Sequence, residues 1–211
     1  LNQIIYIKDN MHILLTRPLE DCSEMILRFK SLGHQVSHLP LLTIEKTNYM
    51  EINFSDYGGI IFTSANAVKF LNLDELDKKI MCFCVGDKTE KKARSFGFQN
   101  TIAAEGNVLN LKELILQNYE FKNKPLLYIS GEIISADLDK LLLNEGYSIK
   151  RIINYKVVHN EKFDENFIKE LKTNMPDIVY VYSQNSAFSF LNFIKINQTE
   201  NIWMNTNLMC I

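Results

Sequence analysis

The sequence predicts an α/β fold of two doubly wound parallel-sheet domains joined by a two-stranded antiparallel connector. Three observations predict it. Short apolar runs alternate with segments that open on Ser, Thr, Asp or Asn and often close on Gly, the signature of strands feeding capped helices. The apolar runs are continuous rather than alternating, as strands covered on both faces require. Two extended runs, Leu39–Glu45 and Ile152–His159, break the alternation, and neither leads into a well-capped helix. A chain that leaves one domain and later returns to it accounts for both. The first domain is then discontinuous, residues 11–38 plus 160–211, the second spans 46–151, and 39–45 with 152–159 are the connector strands.

The elements follow in order. His12–Thr16 reads as a buried strand ended by Arg17-Pro18; Asp21 or Ser23 caps a helix through Leu32, stopped by Gly33. Gln35–Leu42 is extended and interrupted by Pro40. Gly59–Thr63 is a strand, after which Ser64 and Asn66 open a helix to about Leu71. Ile80–Val85 is a strand; Asp87 and Thr89 open a helix to Phe96, closed by Gly97. Asn100–Ala103 is a short strand and Leu109–Asn118 a helix. Pro125–Ile129 is a strand, followed past Gly131 by a helix from Ser135 to Asn144. Ser148–Val158 is a long extended run and Phe163–Lys172 a helix. Ile178–Tyr182 is a strand, Ser183 and Asn185 open a helix to Ile194, and Leu208–Ile211 starts a last strand.

Composition narrows the function. Hydrophobic residues at 46% and charged ones at 23% suit a packed globular protein. The net charge of −2 supplies no basic field for nucleic acid or membrane, so an anionic ligand needs local groups to hold it. The four cysteines show no CxxC and no Cys/His cluster, which argues against structural zinc and for reduced thiols in a cytoplasmic protein. The opening LNQIIYIKDN is too short and polar for a signal peptide, and no apolar run approaches the ~20 residues of a membrane span. Residues 1–10 read as an extension ahead of Met11.

In doubly wound sheets, ligands bind beyond the carboxyl ends of the strands. Here those ends are Thr16-Arg17, Thr63-Ser64-Ala65-Asn66, Gly86-Asp87-Lys88-Thr89, Ser130-Gly131-Glu132 and Ser183-Gln184-Asn185-Ser186. Each places free backbone N–H groups and partial positive charge at a helix start, which suits carboxylate or phosphate. Taken singly, Ser64, Thr89 and Ser183 read equally as plain N-caps, and Arg17 and Lys88 as solvated charges. Repetition of the feature at five strand ends favours a ligand site. Nucleotide fingerprints are absent, as is any GxSxG elbow, and the four histidines lack metal-ligand spacing.

At these strand ends the sequence resembles uroporphyrinogen-III synthase. The matching segments are ILLTRP (Ile13–Pro18), IIFTSANAVKFL (Ile60–Leu71), VGDKTEKKARSFGF (Val85–Phe98), LLYISG (Leu126–Gly131), INYKVV (Ile153–Val158) and VYSQNSAFSFL (Val181–Leu191), in the family's order and spacing. The resemblance implies two α/β domains with the active site in the cleft between them. It implies cyclisation of hydroxymethylbilane to uroporphyrinogen III with inversion of ring D, in heme biosynthesis, without metal or organic cofactor. Tyr155 matches the family's tyrosine at the cleft and is expected to act as general acid. Ser64, Thr89 and Ser183 match positions that contact substrate; Thr63, Lys88, Gly131, Asn185 and Arg17 are expected to bind it by position. The resemblance further implies a monomer, with a transient contact to hydroxymethylbilane synthase. Family members continue past the last strand with a turn, a helix and further elements, so the first domain is expected to be incomplete at its C-terminus. A non-catalytic two-lobed protein holding a small anion is the alternative; a flavodoxin-like protein would be yellow, and a receiver would need an acidic cluster.

Overall fold

The computed structural model describes residues 10–72, 77–120, 122 and 124–210. The extension ahead of Met11 therefore falls, but for Asn10, outside the described residues, as does Ile211 at the end of the last strand. In chain order the elements are β1 (His12–Leu15), α1 (Leu19–Ser31), β2 (Gln35–His38), β3 (Leu42–Lys46), β4 (Gly59–Phe62), α2 (Ala65–Lys69), β5 (Met81–Val85), α3 (Gly86–Ser95), β6 (Asn100–Ala104) and α4 (Val108–Asn118). There follow β7 (Leu126–Gly131), α5 (Leu138–Asn144), β8 (Ile149–His159), α6 (Glu165–Thr173), β9 (Ile178–Val181), α7 (Gln184–Ile196) and β10 (Asn207–Cys210). Single 3-10 turns occur at Phe54–Asp56 and Glu200–Trp203.

Contacts divide the chain into two compact units. One is the chain up to Thr43 together with the chain from Val158; the other is Ile44–Val157. The first holds a four-stranded sheet, β10-β9-β1-β2, parallel throughout. Alternate residues of its strands feed two apolar layers. Leu14, Val179 and Val181 pack with Leu171, Phe190, Phe193 and Trp203, while Ile13 and Leu15 pack with Cys22, Met25, Ile26 and Phe29. Both faces of the sheet are thus covered, the physical reason its strands read as continuous apolar runs.

The second unit holds the order β3-β8-β7-β4-β5-β6. The five strands from β8 to β6 are parallel. Ile60, Phe62, Cys82, Cys84, Leu127 and Ile129 fill one layer; Ile61, Phe83, Leu126 and Tyr128 fill the other with Leu111, Ile115, Leu138 and Leu142. β3 lies at the edge. Thr47 N–H donates to Asn154 O (2.9 Å) and Asn160 N–H to Leu41 O (3.0 Å), so residue numbers fall along β8 as they rise along β3, and the pair is antiparallel. The predicted α/β class with doubly wound parallel sheets holds. β8 begins at Ile149 and runs alongside β7 before it reaches its partnership with β3.

Local readings differ in four places. Neither Asp21 nor Ser23 caps α1; Pro18 occupies the cap position at φ −51° with no side-chain cap, and Asp21 N–H donates to Pro18 O. Proline is preset for a helix start and has no N–H to satisfy. Thr89 is not a cap either: α3 begins at Gly86, whose φ of +71° turns the chain directly from β5 into the helix, a conformation that suits glycine. Ser135 does not begin α5, which starts at Leu138 after a turn in which Leu138 N–H donates to Ala136 O. The run Gln35–Leu42 splits into β2 and the start of β3.

Candidate functional site

Each unit has one topological switch point, where successive strands are laid down on opposite sides of the first. In the second unit it lies between β4 and β7, and in the first between β1 and β9. Crevices form there because the two connections leave on opposite faces.

At the switch point of the second unit, β4 ends at Phe62 and the chain turns through Thr63 and Ser64. The Ser64 hydroxyl accepts from Asn66 N–H at 3.2 Å, so its capping reading stands. Thr63 Oγ1 lies 3.2 Å from the hydroxyl of Tyr128, a buried side chain of β7. Burial pushes the Tyr128 phenol up, opposed by its hydrogen bond to Thr63 and by the Arg151 guanidinium. Arg151 binds the end of β7: Nε donates to Ser130 Oγ at 2.8 Å, and Nη2 donates to Gly131 O at 2.9 Å and to Glu132 O at 3.1 Å.

A β-bulge then decides where Tyr155 goes. Ser130 pairs with Ile153, but Gly131 pairs with Tyr155, leaving Asn154 as the extra residue. Asn154 is buried and its Nδ2 donates to Ala67 O at 2.7 Å. The extra residue shifts the alternation, so Ile152 and Tyr155, three apart, pack on the same layer. Tyr155 O accepts from Glu132 N–H at 2.9 Å. Its ring lies so close to Gly131 that a Cβ there would be 2.6 Å from Cζ and 2.9 Å from the hydroxyl; only glycine fits. Thr63, Ser64, Tyr128 and Tyr155 line one cavity of about 290 Å³, together with Asn107 and Ser135.

The structure therefore brings together Tyr155, Thr63, Ser64 and Gly131. It does not bring Lys88 or Thr89 to that cavity: Lys88 is exposed on the first turn of α3, and Thr89 is buried in the same turn. Sequence reasoning does not single out Tyr128, Arg151 or Asn107. The cap pattern Asn107-Val108 preceding an apolar helix was the signal for one of them, and Asn107 Oδ1 accepts from Leu109 N–H at 2.8 Å.

At the switch point of the first unit, Thr16 Oγ1 donates to Tyr180 O at 2.6 Å and closes the gap between β1 and β9. Arg17 follows, its guanidinium carbon 4.0 Å from the Tyr182 ring centroid. Tyr182 is pushed up to about 12, first by burial and against the pull of Arg17. Ser183 caps α7 in a reciprocal box with Ser186, whose hydroxyl accepts from Tyr182 N–H (2.8 Å) and Ser183 N–H (2.9 Å). Ser183 and Asn185 are exposed, and Asn185 O accepts from the Ser189 hydroxyl. Among the described residues no cluster of three His, Cys, Asp or Glu could hold a metal ion, and no helix is long and apolar enough to cross a membrane.

Fold comparisons agree with the two-sheet architecture. The chain is similar to the crystal structure of uroporphyrinogen-III synthetase from Helicobacter pylori, at 18% identity and a TM-score of 0.59, covering 94% of this chain and 92% of that one. It is also similar to a mutant uroporphyrinogen III synthase from the extremely thermophilic bacterium Thermus thermophilus, at 12% identity and a TM-score of 0.57, over 95% of this chain and 84% of that one. No curated protein sequence matches it. The profile of the family Uroporphyrinogen-III synthase HemD matches residues 23–211, and the chain belongs to that family.

Proposed function

We propose that this chain cyclises hydroxymethylbilane to uroporphyrinogen III with inversion of ring D, as a hydro-lyase of heme biosynthesis. Family membership supports the reaction. The observation that carries the site is the bulge that turns Tyr155 onto Gly131 at the rim of a hydroxyl-lined cavity.

Tyr155 is the general acid. Its phenol gives a proton to the terminal hydroxyl as the C–O bond breaks and water leaves; the remaining electrophile is an azafulvenium cation, and the phenolate recovers its proton from the ring D carbon that recloses. Ring D attacks through its substituted carbon to a spiro intermediate, which fragments and recloses in the inverted sense. Unassisted closure yields the type I isomer, so the protein's main contribution is to hold the inverting geometry. Thr63 and Ser64 supply hydrogen bonds beside Tyr155, and Gly131 makes room for its ring. Ser183, Asn185 and Arg17 bind substrate carboxylates. Thr89 and Lys88 act through the first turn of α3, Thr89 from its buried position.

The same reading takes residues 11–38 with 160–211 as one domain, 46–151 as the other, and 39–45 with 152–159 as connector strands. It places the protein in the cytoplasm, as a monomer without cofactor, in transient contact with hydroxymethylbilane synthase. The test is incubation with enzymatically generated hydroxymethylbilane, followed by chromatographic separation of the isomers. Type III product is expected; type I product alone overturns the reading.

A further inference from the structure

We propose that His38 and Tyr182 are positioning residues that pre-set Arg17 as a planar receptor for a substrate carboxylate; this rests on the substrate reading above. A free arginine side chain loses about 2 kcal/mol of rotamer entropy when it is fixed on a ligand. At Arg17 much of that ordering is already in place. Its main chain is held from β2 and the residues beyond. Leu39 N–H donates to Leu15 O at 2.9 Å and Leu41 N–H to Thr16 O at 3.1 Å. His38 Nε2 lies 2.7 Å from Arg17 O; a carbonyl only accepts, so Nε2 carries the hydrogen. Three consecutive carbonyls are thus tied to one segment.

The side chain is held from the other strand. The guanidinium lies over the Tyr182 ring at 4.0 Å. That ring is itself anchored: its hydroxyl donates to Met25 Sδ at 3.5 Å, and it leans on Tyr180, 6.2 Å between centroids, which leans on Phe29 at 5.6 Å. A guanidinium carbon this close to the centroid fits face-on contact, which leaves the in-plane N–H donors for another group. Among the described residues no carboxylate is paired with Arg17. A planar cation, fixed at both ends, with its donor edge unspent, fits bidentate recognition of a carboxylate.

The test uses the full-length protein and uroporphyrin III, the stable oxidised form of the product, with affinity read from quenching of porphyrin fluorescence. Arg17→Ala is expected to weaken binding about tenfold, the scale of one charge-assisted contact. Arg17→Lys keeps the charge but not the stacked plane, and is expected to bind nearly as weakly. Tyr182→Leu and His38→Leu are each expected to lose about threefold, the scale of a cation–π contact or a net hydrogen bond. Tyr182→Phe and His38→Gln, which keep the ring and the donor, restore most of that loss. In an Arg17→Ala background, Tyr182→Leu and His38→Leu add nothing further. Equal losses in both backgrounds, or wild-type affinity in Arg17→Lys, overturn the inference. The Arg17 variants decide it even where Tyr182→Leu lowers the melting temperature. Type III product from the wild type with these couplings absent removes this inference alone; type I product alone removes the substrate reading.

Discussion

The two switch points are the same topological object with different chemistry. In both sheets one strand has the strand that follows it in the chain on one side and a later one on the other, β2-β1-β9 in one and β5-β4-β7 in the other. Both β1 and β4 are followed by a threonine whose hydroxyl reaches the neighbouring strand, Thr16 to Tyr180 O and Thr63 to the Tyr128 hydroxyl. Beyond that they diverge. The β4/β7 crevice presents the phenols of Tyr128 and Tyr155 and the hydroxyls of Thr63 and Ser64, and Arg151 is spent on Ser130 and on the Gly131 and Glu132 carbonyls. The β1/β9 crevice carries an arginine on an aromatic face, with a capped helix beside it. Strand order makes the crevice; the side chains around it give each crevice its own chemistry.

Substitutions can break that contrast. The largest expected effect is Tyr155→Phe, which removes the proposed acid. Type III formation should fall about a hundredfold while uroporphyrin binding persists; full activity in a coupled assay would end the acid role. Gly131→Ala comes next. Its Cβ would sit 2.6 Å from the Tyr155 ring, so the ring must move. Turnover should drop about tenfold and stability by about 1–3 kcal/mol, read by isomer analysis and denaturant titration.

Thr63→Val tests the floor of the same cavity. It leaves the buried Tyr128 hydroxyl without its hydrogen-bond partner and should cost about 1–3 kcal/mol. Tyr128→Phe in the same chain should recover part of that cost, because both polar ends are then gone; additive losses would show that the pair does not interact.

The smallest effect concerns the first unit. The Tyr182 phenol, raised from 10.0 to about 12, stays protonated in the folded state over a range where the unfolded chain ionises. The folded state therefore binds more protons there, so stability is intact below about pH 10 and falls as pH rises toward 12. Solvent screening at this partly exposed site limits the share to about 1 kcal/mol. Wild-type and Tyr182→Phe melting curves should converge across that window; parallel curves would contradict it.

The strands and helices were readable because their signals are local. Continuous apolar runs such as His12–Leu15 and Leu126–Ile129 mark strands buried on both faces, and the caps at Ser64 and Ser183 are formed within three residues of chain. Thr89 misled because a threonine near a helix start looks the same whether it caps the turn or is buried inside it. The missing information was the positive φ of Gly86, which starts the helix three residues earlier.

The amino-acid sequence alone determined the alternation of strands and helices and the polar composition of the strand ends, since each depends on periodicity and caps within a few residues. The tertiary structure alone decided which strand ends meet. It placed the bulge at Asn154 that swings Tyr155 onto Gly131, and it set Arg17 between His38 and Tyr182. The physical reason is register. A single extra residue in one strand moves every following side chain to the other face, and no local propensity records which partner that strand will find.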